Sequence, residues 1–212
     1  MNDPIEIAVR FGVLVPAIVI HEVAHGWMAY LLGDPTAKDK GRLSLNPVRH
    51  VDPWGTLLLP LIMVAIFGFA FGYAKPVPIN PYRFQNYRQG MFLTGIAGPA
   101  SNLLMAAAAG LIFRFSGTGL IAYILLMFAL MNLVLMFFNL IPLPPLDGSR
   151  VLPLFLSDRG MDVYDQIERY GFIILIAALW LLPEFLGFNP LGWYMGATAI
   201  PLTEFFAGLR FG

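Results

Sequence analysis

Residues 13–32 read VLVPAIVIHEVAHGWMAYLL. A helix crossing the roughly 30 Å core of a bilayer needs about 20 mostly apolar residues, and this stretch meets that length. His21, Glu22 and His25 interrupt it. A single Asp, Lys or Arg at the centre of a membrane helix costs about 2.5–3.5 kcal/mol on insertion scales. Three ionisable residues within five positions are therefore expensive, and packing alone does not offset them. A cation shared between them does.

Composition supports a membrane setting. The 212 residues are 58% hydrophobic and only 12% charged, whereas soluble domains carry about 25% charged residues. The chain lacks the polar surface to cover itself in water and reads as an all-α polytopic membrane protein, one unit over residues 1–212. Its net charge is zero, and no basic tract points to nucleic acid. Without cysteine, disulfides and thiolate metal sites are excluded. The opening MNDPIEIAVR lacks the basic n-region of a cleaved signal peptide, so the first apolar stretch is expected to stay as a membrane helix.

Working outward, apolar runs cover residues 11–32, 54–73, 91–113 and 119–141. A further apolar region from Gly171 is interrupted by Pro183, Glu184 and Pro190, which predicts one helix plus a re-entrant piece, or two short helices. The total is four to six membrane segments. Arg42-Leu43-Ser44-Leu45 alternates with the period of a short strand. AKPVPINP at 74–81 is held extended by its prolines. Leaving Arg210 aside, if all four strong runs span, Lys and Arg divide seven against five; if 54–73 dips in and returns, they divide ten against two, with Arg10 and Arg114 outside. Cytoplasmic loops carry the Lys/Arg excess, so the chain is expected to place a re-entrant hairpin at 54–73.

On a helix, His21 and His25 project from one face a turn apart. Two imidazoles at that spacing bind a zinc ion, with Glu22 beside it to act on water. A catalytic zinc takes a third protein ligand and keeps an open position. That ligand is His50 or a carboxylate. Asp147 is the strongest carboxylate, because it ends the run FFNLIPLPPLDGSRV, in which Pro142, Pro144 and Pro145 stop the fourth helix. Unwound backbone at membrane depth is tolerated where it lines a cavity, and Gly148 permits a tight turn after the carboxylate. His25 precedes Leu32 by seven residues, which is about 10 Å of helix at 1.5 Å per residue. The site is thus expected near the cytoplasmic face, within reach of water.

Three elements in this order resemble the site-2 protease family of intramembrane zinc metalloproteases: HEVAH at 21–25, GIAGPASN at 95–102 and NLIPLPPLDG at 139–148. The resemblance covers residues 11–155, with 170–210 as accessory membrane segments. GRLSLNP at 41–47 and AKPVPINP are similar to the compact prokaryotic branch without a PDZ domain. The resemblance implies one zinc per chain, ligated by His21, His25 and Asp147, with Glu22 as general base and Asn139 close to the substrate backbone. It implies a multi-pass protein of the plasma or inner membrane whose substrates are transmembrane segments of other proteins. Gly98 and Pro99 are expected to allow close helix packing and a kink, Asn102 to bond across helices, and His50 to sit at a loop interface. The rival reading is a membrane protein that binds metal without hydrolysis, a transporter or an inactive receptor for helices. The absence of a visible internal repeat disfavours a transporter.

Overall fold

A computed structural model describes residues 4–58, 62 and 75–209. Its helices are α1 (Pro4–Leu31), α2 (Thr36–Asp39), α3 (Tyr87–Phe113), α4 (Leu120–Asn139), α5 (Asp158–Leu186) and α6 (Pro190–Ala207), with a 3-10 segment at Asp147–Leu154. Ala8–Leu31, Tyr87–Phe113, Leu120–Asn139 and Asp158–Leu186 are long and apolar enough to cross a membrane. The protein is a multi-pass helical membrane protein. Phe11, Leu104, Ile121, Ile173, Trp193 and Phe205 point outward and exposed. In water so much exposed apolar surface would be a liability; in lipid it is the solvated face.

Helix ends follow local chemistry. Asn86, Ser157 and Asn189 accept bonds from the backbone N–H groups of Gln89, Gly160 and Gly192 at the starts of α3, α5 and α6, satisfying donors that the first turn leaves open. Gly187 and Gly208 close α5 and α6 in the left-handed conformation, which glycine adopts without a Cβ penalty.

Helix α3 is the centre of the bundle, packed against α1, α4, α6 and the 3-10 segment. Small residues make this possible: Ala17, Ala106, Ala129 and Ala199 are fully buried. Where lipid is as apolar as the core, association depends on close backbone approach and interhelical hydrogen bonds. A Cβ on Gly110 would lie 2.6 Å from Phe206 Cβ, so this glycine sets the α3–α6 contact. Leu133, Met136, Ala106 and Ala199 form the apolar cluster beside it.

Two expectations change at this level, and a third lies mostly outside the described residues. No strand occurs among the described residues. Residues 34–45 and 75–80 meet instead through bonds between side chains and backbone: the Arg42 guanidinium donates to the Lys75 carbonyl at 2.6 Å, and the Asn80 N–H donates to buried Asp34 at 2.6 Å. Pro76 and Pro78 have no N–H with which to extend a ladder. The expected hairpin at 54–73 lies mostly outside the described residues, beyond a π-helical turn at Pro53–Leu58. Its flanks are described, and the Lys75 N–H donates to the His50 carbonyl at 2.8 Å. At the C-terminus Pro183 does not stop a helix; α5 runs through it to Leu186 and starts at Asp158. The charged residues between Asp158 and Tyr170 lie in the first half of that helix. Proline is accommodated in membrane helices because neighbouring groups satisfy the freed backbone.

Candidate metal centre

The i, i+4 spacing in α1 stacks His21 and His25 on the side facing α3 and α4, with ring centroids 4.5 Å apart and planes at 86°. Their Nε2 atoms are 3.0 Å apart, and each lies 3.0 Å from Asp147 Oδ2. All three residues are buried. The proline-broken stretch after α4 delivers the carboxylate, as its sequence implied. Gly148 is needed for a different reason from a turn conformation: a Cβ there would stand 2.2 Å from the Leu140 carbonyl oxygen. Only glycine lets the chain double back so tightly against the end of α4.

Each imidazole is held from behind. His25 Nδ1 lies 2.6 Å from the Thr94 carbonyl of α3, and His21 Nδ1 lies 2.5 Å from Asn102 Oδ1. Both partners are acceptors, so Nδ1 carries the proton and Nε2 presents a lone pair. Pro99 has no N–H for the Gly95 carbonyl, so the α3 ladder is interrupted beside the Thr94 carbonyl that takes the His25 bond. Gly98 supplies the space, because a Cβ would come within 2.4 Å of His25 Nε2 and 2.6 Å of His21 Cε1.

Asp147 is also engaged by Arg150, whose Nη1 is 3.2 Å from Oδ1. The Arg150 guanidinium beside it favours the ionised carboxylate. Two lone pairs and an anionic oxygen therefore point at one spot. Ligand atoms about 2.0–2.1 Å from one tetrahedral ion lie roughly 3.3–3.4 Å from one another, a few tenths of an ångström wider than the triangle seen here. The donor set, two imidazoles and a carboxylate, is that of zinc hydrolases. Among the described residues no other group of His, Asp and Glu converges this way.

Glu22, Asn139, Pro76, Val77 and Arg150 line a cavity of about 390 Å³ together with the triangle. The Val77 N–H donates to Glu22 Oε2 at 2.8 Å. The Asn139 amide donates one N–H to the Leu135 carbonyl at 2.9 Å, leaving its second N–H for the cavity. His50 is not brought to the site; its Nε2 lies 2.8 Å from the Ser44 carbonyl, and it is buried in the loop. Sequence reading missed Arg150, for which the i+3 spacing from Asp147 was a signal. It also missed the Thr94 carbonyl and the Val77 N–H, backbone groups that carry none.

Relatives agree with this chemistry. A family model described as Peptidase family M50 matches residues 115–182, which hold Asn139 and Asp147. The chain is 42% identical over 175 residues to "Putative zinc metalloprotease YwhC" of Bacillus subtilis (strain 168), covering 77% of this chain and 76% of that one. It is 28% identical over 190 residues to "Putative zinc metalloprotease Rip2" of Mycobacterium tuberculosis (strain ATCC 25618 / H37Rv), covering 85% and 67%. It is 29% identical over 160 residues to "Zinc metalloprotease MJ0392" of Methanocaldococcus jannaschii, covering 75% of this chain and 38% of that one. No solved structure matches the chain. Zinc is the cation that both the donor set and these names indicate. An identity of 42% over three quarters of both chains, joined to the family match, means that the chain belongs to Peptidase family M50.

Proposed function

We propose that this protein is an intramembrane zinc metalloendopeptidase of the site-2 protease type, cutting peptide bonds within or near transmembrane segments of other membrane proteins. The observation that carries the reading is the triangle of His21 Nε2, His25 Nε2 and Asp147 Oδ2, each atom 3.0 Å from the other two, set among helices of membrane length. In this reading those three residues hold zinc, and the chemistry resides within residues 11–155. A bound zinc ion supplies Lewis acidity, activating water and polarising a carbonyl. Glu22, lining the same cavity, is the general base that takes a proton from water and passes it to the leaving amine. Asn139 turns its second N–H to the oxygen that gains charge as the carbonyl is attacked. Apolar Ile18, Leu135, Phe138, Phe172 and Leu175 around the cavity suit an apolar substrate segment and exclude bulk water.

The end of the molecule bearing the site is the cytoplasmic one in this proposal. Arg42, Lys75, Arg88 and Arg150 lie in segments tied together there: Arg42 bonds the Lys75 carbonyl, and Arg88 pairs with Asp158 at 2.8 Å. Concentration of Lys and Arg on one side follows the cytoplasmic rule.

The test is Glu22→Gln in detergent or liposomes with a generic transmembrane substrate. The proposal expects bound zinc to be retained and cleavage to be lost. Undiminished cleavage by the glutamine variant would rule out the proposed base.

A further inference from the structure

Behind His21 lies a chain of polar groups across three helices. His21 Nδ1 is 2.5 Å from Asn102 Oδ1, Asn102 Nδ2 is 2.7 Å from Asn132 Oδ1, and Asn132 Nδ2 is 2.8 Å from the Phe128 carbonyl. Both asparagines are fully buried, at 0% exposure. An asparagine amide can face either way, and its direction is decided by its partners. Here the far end decides it. The Phe128 carbonyl has no proton and can only accept. Asn132 must therefore turn its NH₂ to Phe128 and its oxygen to Asn102. Asn102 must then turn its NH₂ to Asn132 and its oxygen to His21. The neutral His21 ring is left with one option, to donate from Nδ1 and keep Nε2 bare. The Ala17 carbonyl of α1, 3.5 Å from Asn102 Nδ2, favours the same direction.

From this geometry we infer that Asn102 and Asn132 form a directional relay that sets the tautomer and orientation of the His21 imidazole. They are positioning residues: Asn102 acts on His21 directly, and Asn132 acts only through Asn102. His25 reaches the same state in one step, because the Thr94 carbonyl faces its Nδ1 directly. His21 has an amide behind it, which without Asn132 could rotate to present NH₂ to the ring. The ring would then hold its proton on Nε2, the atom that faces Asp147. The inference rests on the reading of His21 as a metal ligand.

The logic predicts a specific non-additivity. Zinc affinity is measured by competition with a chelator in detergent for the wild type, Asn132→Leu, Asn102→Asp and the double variant. An aspartate at 102 is an acceptor whichever way it turns, so it needs no partner to orient it. Asn132→Leu should weaken zinc binding about 10- to 100-fold, the usual effect of removing an outer partner of a ligand. In the Asn102→Asp background the Asn132 oxygen already faces a carboxylate oxygen, so the same leucine should weaken affinity less than threefold or raise it, a coupling that independent packing defects do not produce. An equal loss in both backgrounds, or no loss in either, overturns the relay. Asn132→Asp covers the case in which leucine fails to fold. In its acid form the carboxyl donates to the Phe128 carbonyl and accepts from Asn102 as the amide does, so near-wild-type affinity is expected, and a loss as large as 10-fold in a folded protein counts against the proposal. His21→Ala separates the two layers. If it keeps wild-type zinc affinity, the ligand assignment fails and the relay with it. If it loses zinc while the two leucine effects are equal, the relay alone fails.

Discussion

The Val77 backbone N–H donates to Glu22 Oε2 at 2.8 Å, so the segment 75–80 holds the proposed base from outside α1. The segment is anchored by Arg42 on the Lys75 carbonyl and by Asp34 on the Asn80 N–H. A Cβ on Gly26 would lie 2.8 Å from Val77 Cγ1, so the segment is pressed against the helix one turn beyond Glu22. A hydrogen bond to a charged group contributes about 1.5–3 kcal/mol. Val77→Pro removes the donor and should lower kcat about 10- to 100-fold at unchanged zinc content. Metal analysis beside single-turnover cleavage checks it; lost zinc would mean that the segment supports the ligands and not the base.

Gly98 touches both imidazoles, and no side chain fits there. A methyl group would overlap His25 Nε2 and His21 Cε1, and overpacking typically costs about 1–3 kcal/mol. Expressed at the ligands, that is roughly 5- to 150-fold in affinity. Gly98→Ala should weaken zinc binding within this range, measured by chelator competition. Gly12, with nothing within 4 Å of an added Cβ, is the control: Gly12→Ala should bind zinc like the wild type.

Converging lone pairs make the metal part of the fold's stability. Binding to the native state alone stabilises by about 2.7 kcal/mol when free zinc is 100 times Kd. Chelation should therefore lower the thermal unfolding midpoint of the wild type and leave that of His25→Ala unchanged. Equal midpoints for the wild type with and without chelator would indicate that the triangle is not occupied under assay conditions.

Asn139 spends one N–H on its own helix, at the Leu135 carbonyl. Loss of a donor to a developing oxyanion typically costs about 10²–10³ in kcat. Asn139→Ala should fall in that range without loss of zinc, since Asn139 is no part of the triangle. A change confined to KM would assign it to ground-state binding of the substrate.

The sequence was most readable where polar groups are conspicuous. His21 and His25 stand out in an apolar span at helical spacing, and Asp147 stands out after three prolines. Each carries a cost that a shared partner offsets, which made Asp147 the strongest carboxylate beside His50 as a third ligand; the family resemblance completed the set, and the fold brings His25 and Asp147 together across 122 positions. Asn102 was legible as a residue bonding across helices, but its partner His21 was not. Asn132, in the apolar middle of α4, gave no hint of which helix it faces. The strand reading of 42–45 failed because alternation records facing, not pairing, and the prolines at 76 and 78 deny the partner its donors. At the C-terminus a proline and a charge at 183–184 resembled a break, while the left-handed stop stands at Gly187. The Thr94 carbonyl and the Val77 N–H are backbone groups, available at any position, and only the folded chain aims them.

X-ray absorption at the zinc edge, on the wild type and on His21→Ala, addresses the metal centre most directly. The wild type should show two imidazoles and oxygen donors at about 2.0–2.1 Å, and His21→Ala should lose one imidazole or the metal. A wild-type shell without two imidazoles, or an unchanged shell in His21→Ala, would contradict the assignment of the triangle.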